Sequence, residues 1–368
     1  MKYATDQIRR EPVLRTVRYL AVLVVSMLGL SLEGSPTRAQ GCIVARSASQ
    51  IVGPESQGGY LAAGHWELTI DYRHQFSFRH FVGPTEQGYR IQQGSQVENK
   101  INLENVQLTY QATPRWSFGI NLPLLTASRR ANNSYYTLYA QGIGDTILTA
   151  QSWLWNPGKA HKGNVSVGFG VLIPTGKDNI KNTVIAAPGQ PPQDKVVDYS
   201  IQPGSGGWGL AFQWQAFKGI GKQTVAYFNG SYIAALESTN GVVRNPANRD
   251  PLTGFTAVSD QYLLEPGIAY SISSERVPGL ALTFGPRIEG VPAYNLLTKN
   301  DRGFRRPGFA ISVEPGVQYA HGRTLLTVSV GKAIYRDRTK SMPDHVTGGH
   351  GDAAFADYVW LASISHRF

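Results

Sequence analysis

The stretch Tyr358-Val359-Trp360-Leu361-Ala362-Ser363-Ile364-Ser365-His366-Arg367-Phe368 decides the reading of this chain. Counting back from Phe368, the residues His366, Ile364, Ala362, Trp360 and Tyr358 fall on one face of an extended strand, and Arg367, Ser365 and Ser363 fall on the other. An apolar, aromatic face that runs out on a phenylalanine is how a membrane-barrel strand looks. A strand of a soluble sandwich is the competing reading of this segment taken alone, so the remaining sequence has to separate the two.

The same period-two alternation recurs along the chain. Its clearest instance sets Trp66, Leu68, Ile70, Tyr72, His74, Phe76 and Phe78 against Glu67, Thr69, Asp71, Arg73, Gln75, Ser77 and Arg79. That apolar face is too long for a small sandwich. Further strands read near 100–113, 116–126, 143–155, 163–174, 206–217, 222–236, 258–272, 279–291, 308–319, 324–336 and 355–368. Each is close to or above the roughly 9 to 11 residues that a tilted strand needs to cross a bilayer. The connections alternate in length. Short links at 113–115, 156–162, 218–221, 273–278 and 320–323 separate long ones at 82–99, 127–142, 175–205, 237–257, 292–307 and 337–354. Short turns at one end and long loops at the other are the up-and-down pattern of outer-membrane barrels. The expected fold is therefore all-β: a transmembrane antiparallel up-and-down β-barrel of about twelve strands, with ten or fourteen as alternatives. Trp66, Trp116, Trp153, Trp155, Trp208 and Trp360 fall near the expected strand ends, where rings with one polar edge suit the headgroup interface.

Arg9, Arg10, Arg15 and Arg18 precede an apolar run from Tyr19 to Leu32, followed by the small-residue step Thr37-Arg38-Ala39. This is a signal-peptide pattern, so residues 1–39 are expected to direct export and to be removed after Ala39. The run falls short of the roughly 20 residues of a spanning helix. Residues 40–62 are then a periplasmic segment and 63–368 an integral barrel of the bacterial outer membrane. Cys42 is the only cysteine, which excludes an intramolecular disulfide. Ala39-Gln40-Gly41 before it is a poor lipidation signal, so a free thiol is the favoured state of Cys42. The chain carries a net charge of +10 with no basic helix or Lys/Arg tract, which gives nucleic-acid binding no support.

Several short motifs, in order along the chain, carry a family resemblance. They are Gly64-His65-Trp66-Glu67 running on to Arg79-His80-Phe81-Val82-Gly83; Asn121-Leu122-Pro123-Leu124-Leu125; Gly142-Ile143-Gly144-Asp145; Val171-Leu172-Ile173-Pro174-Thr175-Gly176-Lys177; Arg287-Ile288-Glu289-Gly290-Val291-Pro292; and Tyr335-Arg336-Asp337-Arg338. Together they resemble the outer-membrane barrels of the phenol-degradation meta-pathway family. That resemblance implies a channel or transporter for passive uptake of small solutes, aromatic or apolar ones included, and it brings no functional residue with it.

If Trp66, Leu68 and Ile70 face lipid, parity turns Glu67, Asp71, Arg73 and Arg79 toward the lumen, with Glu265, Arg287, Glu289 and Glu314 from later strands. These eight are the candidate pore-lining residues. They form either a charged constriction that selects solutes or a paired network that plugs and stiffens a small barrel. Arg129, Arg130, Arg302, Arg305, Arg306, Arg336 and Arg338 sit at the rims of the long loops and are candidates for contact with lipopolysaccharide phosphates. Tyr358, Trp360, Ile364 and Phe368 form the expected closing strand, which the barrel-assembly machinery would read. The expected partners are thus outer-membrane lipid and lipopolysaccharide, the assembly machinery and a small-molecule solute. No cofactor and no metal are expected: His345, His350 and Asp352 are too loosely spaced for a metal site. Catalysis is not expected either. His74 and His80 face outward while Ser77 faces inward, leaving no nucleophile beside a base. A non-conducting structural or adhesive barrel, and less favoured an outer-membrane hydrolase, are the alternative functions.

Overall fold

The computed structural model describes residues 60–368 apart from 161, 245–249, 273–276 and 299–300. The signal sequence, Cys42 and most of the 40–62 segment lie outside the described residues. Twelve antiparallel strands form the barrel: β1 (Trp66–Val82), β2 (Val97–Gln111), β3 (Trp116–Ala131), β4 (Thr146–Trp153), β5 (Gly163–Ile173), β6 (Gly209–Gly219), β7 (Thr224–Ala235), β8 (Gln261–Ser271), β9 (Leu280–Val291), β10 (Gly308–His321), β11 (Thr324–Asp337) and β12 (Ala353–Arg367). Neighbours in sequence are neighbours in space, and β12 returns to pair with β1, so the sheet has no open edge. The closing register sets Glu67 opposite Arg367, Ile70 opposite Ile364 and His74 opposite Trp360. Trp66 and Phe368 exchange two backbone hydrogen bonds of 3.0 Å where the seam begins.

The side chains sort by parity in the sense opposite to a soluble sheet. Outward positions hold Phe118, Phe169, Phe284 and Trp360, each at least half exposed, while inward positions bury Asp71, Arg73, Gln75, Asn105 and Arg287 almost completely. Apolar outside and polar inside is stable only against lipid, and this removes the sandwich reading of the last strand. The turn after β10 is tight because Gly322 takes φ +59°, a backbone region that favours glycine. Three longer connections build hairpin structure of their own: Leu138–Ile143 continues the pairing of β3, Lys181–Val184 pairs with Gln193–Val196, and Thr239–Val243 pairs with Phe255–Ala257. The long connections all leave the end of the barrel opposite Trp66 and Phe368.

Candidate functional site: the barrel lumen

One wall of the lumen carries the charges. Arg73 Nη1 and Nη2 donate to both carboxylate oxygens of Glu289 at 2.8 and 2.6 Å, and its Nε donates to Gln75 at 3.0 Å. Arg287 donates to Glu265 at 2.5 Å and to Glu289 at 3.0 Å, and lies 3.6 Å from Glu314, which in turn accepts from Ser329 at 2.8 Å. β1 and β9 are not adjacent, since β12, β11 and β10 stand between them. The Arg73–Glu289 pair is therefore a strut across the curve of the barrel. Arg73 and Arg287 are 0 and 1% exposed, so solvent does not screen these pairs. Five of the eight sequence-selected lumen residues thus meet in one network.

The facing wall is uncharged. Ser117, Gln151, Gly168, Gln213 and Ser231 fall in one register row across β3 to β7. Next to them Gln107 pairs with Asn121, and Thr109, Gly119 and Thr149 make the adjoining row. Gln107, Thr109, Asn121, Thr149, Gln151, Gln213 and Ser231 stay half-exposed, in contrast to the sealed charged wall. Toward the long-loop end the wall turns apolar, with Ile101, Leu103 and Leu125 in one cluster and Ile147, Leu172, Ala211 and Ile233 in another.

The connection from β5 to β6 folds down onto the first of those clusters, burying Val197 and Ile201 against Ile101 and Leu103. Two sequence motifs meet at its base: Asp145 accepts from the backbone N–H of Gly176 at 3.1 Å and of Ser205 at 2.7 Å, and Thr175 Oγ1 donates to the Gly144 carbonyl at 2.8 Å. Gly176 is needed there because a Cβ would stand 2.6 Å from the Gly204 Cα. Just past its hairpin, between the buried Val197 and Ile201, Asp198 accepts two hydrogen bonds of 2.9 Å from Arg306 and lies 3.4 Å from Arg129. The guanidiniums of Arg244 and Arg306 stack over Phe304 at 3.3 and 4.9 Å, and Phe304 packs edge-on against Tyr199. Burial alone would push the Asp198 carboxyl up, but Arg129 and Arg306 outweigh it and hold it well below the usual carboxylate range. Three loops and the wall of β3 are thereby locked together over the mouth.

The other sequence-selected residues sit at the two ends. Glu67 accepts from Arg367 at 2.7 Å at the short-turn rim. Asp71 is buried opposite Ser363. Arg79 binds Glu86 and Asp357, and Arg336 shares Asp357. Arg130 donates to the Ser134 carbonyl at 3.2 Å, Arg305 reaches Asn295 at 2.9 Å and Asp301 at 3.1 Å, and Arg338 reaches Asp344 at 3.0 Å. Arg302 is exposed. Of the closing-strand residues, Tyr358, Trp360, Ile364 and Phe368 all stand exposed on the outer face.

Sequence reasoning missed Asp198, Tyr199 and Phe304, which lie in loops without periodicity. It also missed Tyr60, whose hydroxyl donates to the Ala160 carbonyl at 3.0 Å and accepts from Asn164 at 3.1 Å, with its ring edge-on to Trp153 inside the short-turn mouth. His74 has an Asn partner that the sequence did not disclose, Asn102 at 2.8 Å on the lipid-facing side. His80 donates from Nδ1 to Asp352 at 2.6 Å and accepts from the Val97 N–H at 3.0 Å, and His350 donates to the Arg338 carbonyl at 2.7 Å.

No protein-family model matches the sequence, and no curated protein matches it. Among solved structures, an outer-membrane channel from Pseudomonas putida F1 is similar, with a TM-score of 0.56 at 14% identity over 86% of this chain and 100% of that one. The beta domain of the Bordetella autotransporter Brka (TM-score 0.44, 12% identity, 83% of this chain and 100% of that one) and the P. putida toluene transporter TodX (TM-score 0.39, 10% identity, 90% and 99%) match more loosely. The fold likeness rests on the first of these. The closed twelve-stranded antiparallel sheet is the fold of an outer-membrane β-barrel.

Proposed function

We propose that this protein is a passive outer-membrane channel for small uncharged solutes, aromatic ones included, whose outer mouth is closed by its loops until they move. The observation that carries the reading is the division of the lumen. On one wall two arginines bind three glutamates in a network sealed from the lumen, while the half-exposed Gln, Asn, Thr and Ser side chains opposite offer hydrogen bonds and carry no charge that would hold an ion. The apolar clusters beneath the loops favour a solute with a hydrophobic body. The resemblance to the phenol-degradation barrels points the same way. A barrel built for stiffness alone would have no use for a half-exposed wall.

The test is swelling of proteoliposomes in phenol and in an uncharged sugar of similar volume, with Gln213→Trp as the blocking variant. Faster phenol permeation in the wild type, lost in Gln213→Trp while heat-modifiable mobility is kept, supports the channel. Equal permeation by protein-free liposomes overturns it in favour of the structural barrel. Lipopolysaccharide contact falls in this reading to Arg302, the exposed member of the loop arginines. The others are held by carboxylates or carbonyls. No hydrolytic role is assigned, because the His74–Asn102 pair has no serine or threonine hydroxyl bonded to it among the described residues.

A further inference from the structure

Four of the five short connections carry charge of one sign, and the fifth, 272–279, holds Glu275 beside Arg276. The connections 112–115, 154–162, 220–223 and 322–323 contain no Asp or Glu, yet they and the strand residues beside them carry Arg115, Lys159, Lys162, Lys218, Lys222 and Arg323. Glu67, at the same rim, is taken by Arg367. In an outer-membrane barrel this end faces the periplasmic leaflet.

Three of these lysines border a furrow on the outer face of β5 to β7. The register sets Lys218 between Gly163 and Ala226, and one step further into the membrane it sets Ala216 between Val165 and Phe228. The inward neighbours Asn164 and Phe217 are 2 and 4% exposed, so they form a closed floor. Trp155 and Phe228, both exposed, make the two walls, and the turn residues Lys159 and Lys162 stand over one end. Small side chains in the middle and rings at the sides distinguish this patch from the rest of the belt. On β9 the outward residues Leu282 and Phe284 stand proud of the sheet. The aliphatic stem of Lys218 lies across Gly163, 3.1 Å from where a Cβ would be, and a stem of that length lets the charged head reach the membrane surface.

We infer that this furrow binds an anionic phospholipid of the periplasmic leaflet, with one acyl chain in the Ala216 depression and the headgroup phosphate among Lys159, Lys162 and Lys218. Lipid tails cover every outward face of the barrel, so apolar contact alone selects nothing. Selection comes from the three ammonium groups, which come from stretches 154–163 and 216–223 that contain no Asp or Glu, and from a depression that accepts one chain. A zwitterionic headgroup satisfies the phosphate contact but brings its own ammonium into the same cluster, so the net negative lipid is preferred.

The test uses the folded full-length barrel, incubated with phosphatidylethanolamine vesicles with and without phosphatidylglycerol, extracted in mild detergent and examined by native mass spectrometry. The expected result is one retained phosphatidylglycerol per barrel in preference to phosphatidylethanolamine. Retention should fall about fivefold for each lysine replaced on going to Lys159→Gln/Lys162→Gln/Lys218→Gln. Ala216→Trp, which fills the depression and leaves the lysines in place, should also abolish retention. Equal retention of both lipids by the wild type, or undiminished retention in the triple variant or in Ala216→Trp, overturns the inference. Heat-modifiable mobility of each variant establishes that the barrel is folded when the lipid is counted. Solute permeation is a separate measurement, so failure here leaves the channel reading where it stands.

Discussion

Arg73 on β1 donates two hydrogen bonds of 2.8 and 2.6 Å across the lumen wall to Glu289 on β9, 216 residues away. The pair links strands that the hydrogen-bond ladder of the sheet does not connect, and Arg287 extends it to Glu265 and Glu314. Its value lies in what happens when one partner goes. Without Arg73 the buried Glu289 keeps only its single bond from Arg287, a loss that approaches the about 3 to 5 kcal/mol of a broken buried pair, whereas replacing both members by apolar groups of similar size is close to neutral. Arg73→Met should therefore lower the urea midpoint of unfolding, followed by heat-modifiable mobility. Arg73→Met/Glu289→Met should recover most of the loss. Two single losses that simply add in the double variant would mean that the strut carries no coupling energy.

The parity that put Arg73, Glu289, Arg287, Glu265 and Glu314 in the lumen was legible because a strand has only two faces, and a lipid-facing side forces the charges to the other. The alternation of short and long connections pointed to about twelve strands, with ten or fourteen left open, for the same reason: each strand must cross the membrane once. Which lumen charges meet was not legible, since partners are set by barrel curvature and by side-chain reach over several strands. The loops defeated pattern reading more completely. Asp198 sits in a stretch with no periodicity, and its partners Arg129 and Arg306 come from a strand end and another loop. The loop arginines looked like free cations for phosphates, but most are committed to carboxylates and carbonyls that fold back onto them. A single sequence does not reveal that pairing.

Asp198 makes the outer mouth sensitive to acid. Its carboxyl is held below the ordinary value of about 3.9 by the two guanidiniums. A depressed carboxylate stabilises the closed arrangement fully above that ordinary value, and the contribution is lost as pH falls through the depressed one. The arginines keep their charge throughout. Single-channel conductance should hence be flat from neutral pH down to about pH 4 and rise below it. Asp198→Asn should give the raised conductance already at neutral pH. A variant indistinguishable from wild type at both pH values would remove Asp198 from the closure.

Tyr60 gives a second handle on passage, at the opposite mouth. It hydrogen-bonds Asn164 and Ala160, and its ring rests on Trp153 and within 6.2 Å of Phe217. Tyr60→Ala removes both hydrogen bonds and the edge-on aromatic contact, each worth about 1 kcal/mol. The expected outcome is a looser short-turn mouth: faster permeation of phenol in swelling assays, together with an unfolding midpoint lowered by the loss of about 3 kcal/mol. The same fall in the midpoint with unchanged permeation would instead make Tyr60 a purely structural anchor.

Phe368 closes the seam. Its N–H and C=O both bond to Trp66, and its ring stacks at 6.5 Å on His366 on the outer face. Removing Phe368 deletes the last rung of the ladder between β12 and β1, where closure has to begin or end. Two lost backbone bonds amount to about 1 to 3 kcal/mol, modest beside the remaining rungs from Glu67↔Arg367 to Phe81↔Ala353. The finished barrel should accordingly tolerate the loss, and its solute selectivity should stay the same because the lumen is untouched. For assembly we propose a different outcome, in which the unpaired β12 is captured by its exposed aromatic edge before the seam exists. The fraction of chain reaching the heat-modifiable form in cells should fall sharply, while protein refolded from urea into detergent should regain near-normal permeation. A deletion that inserts normally in cells would show that the seam closes without reading Phe368.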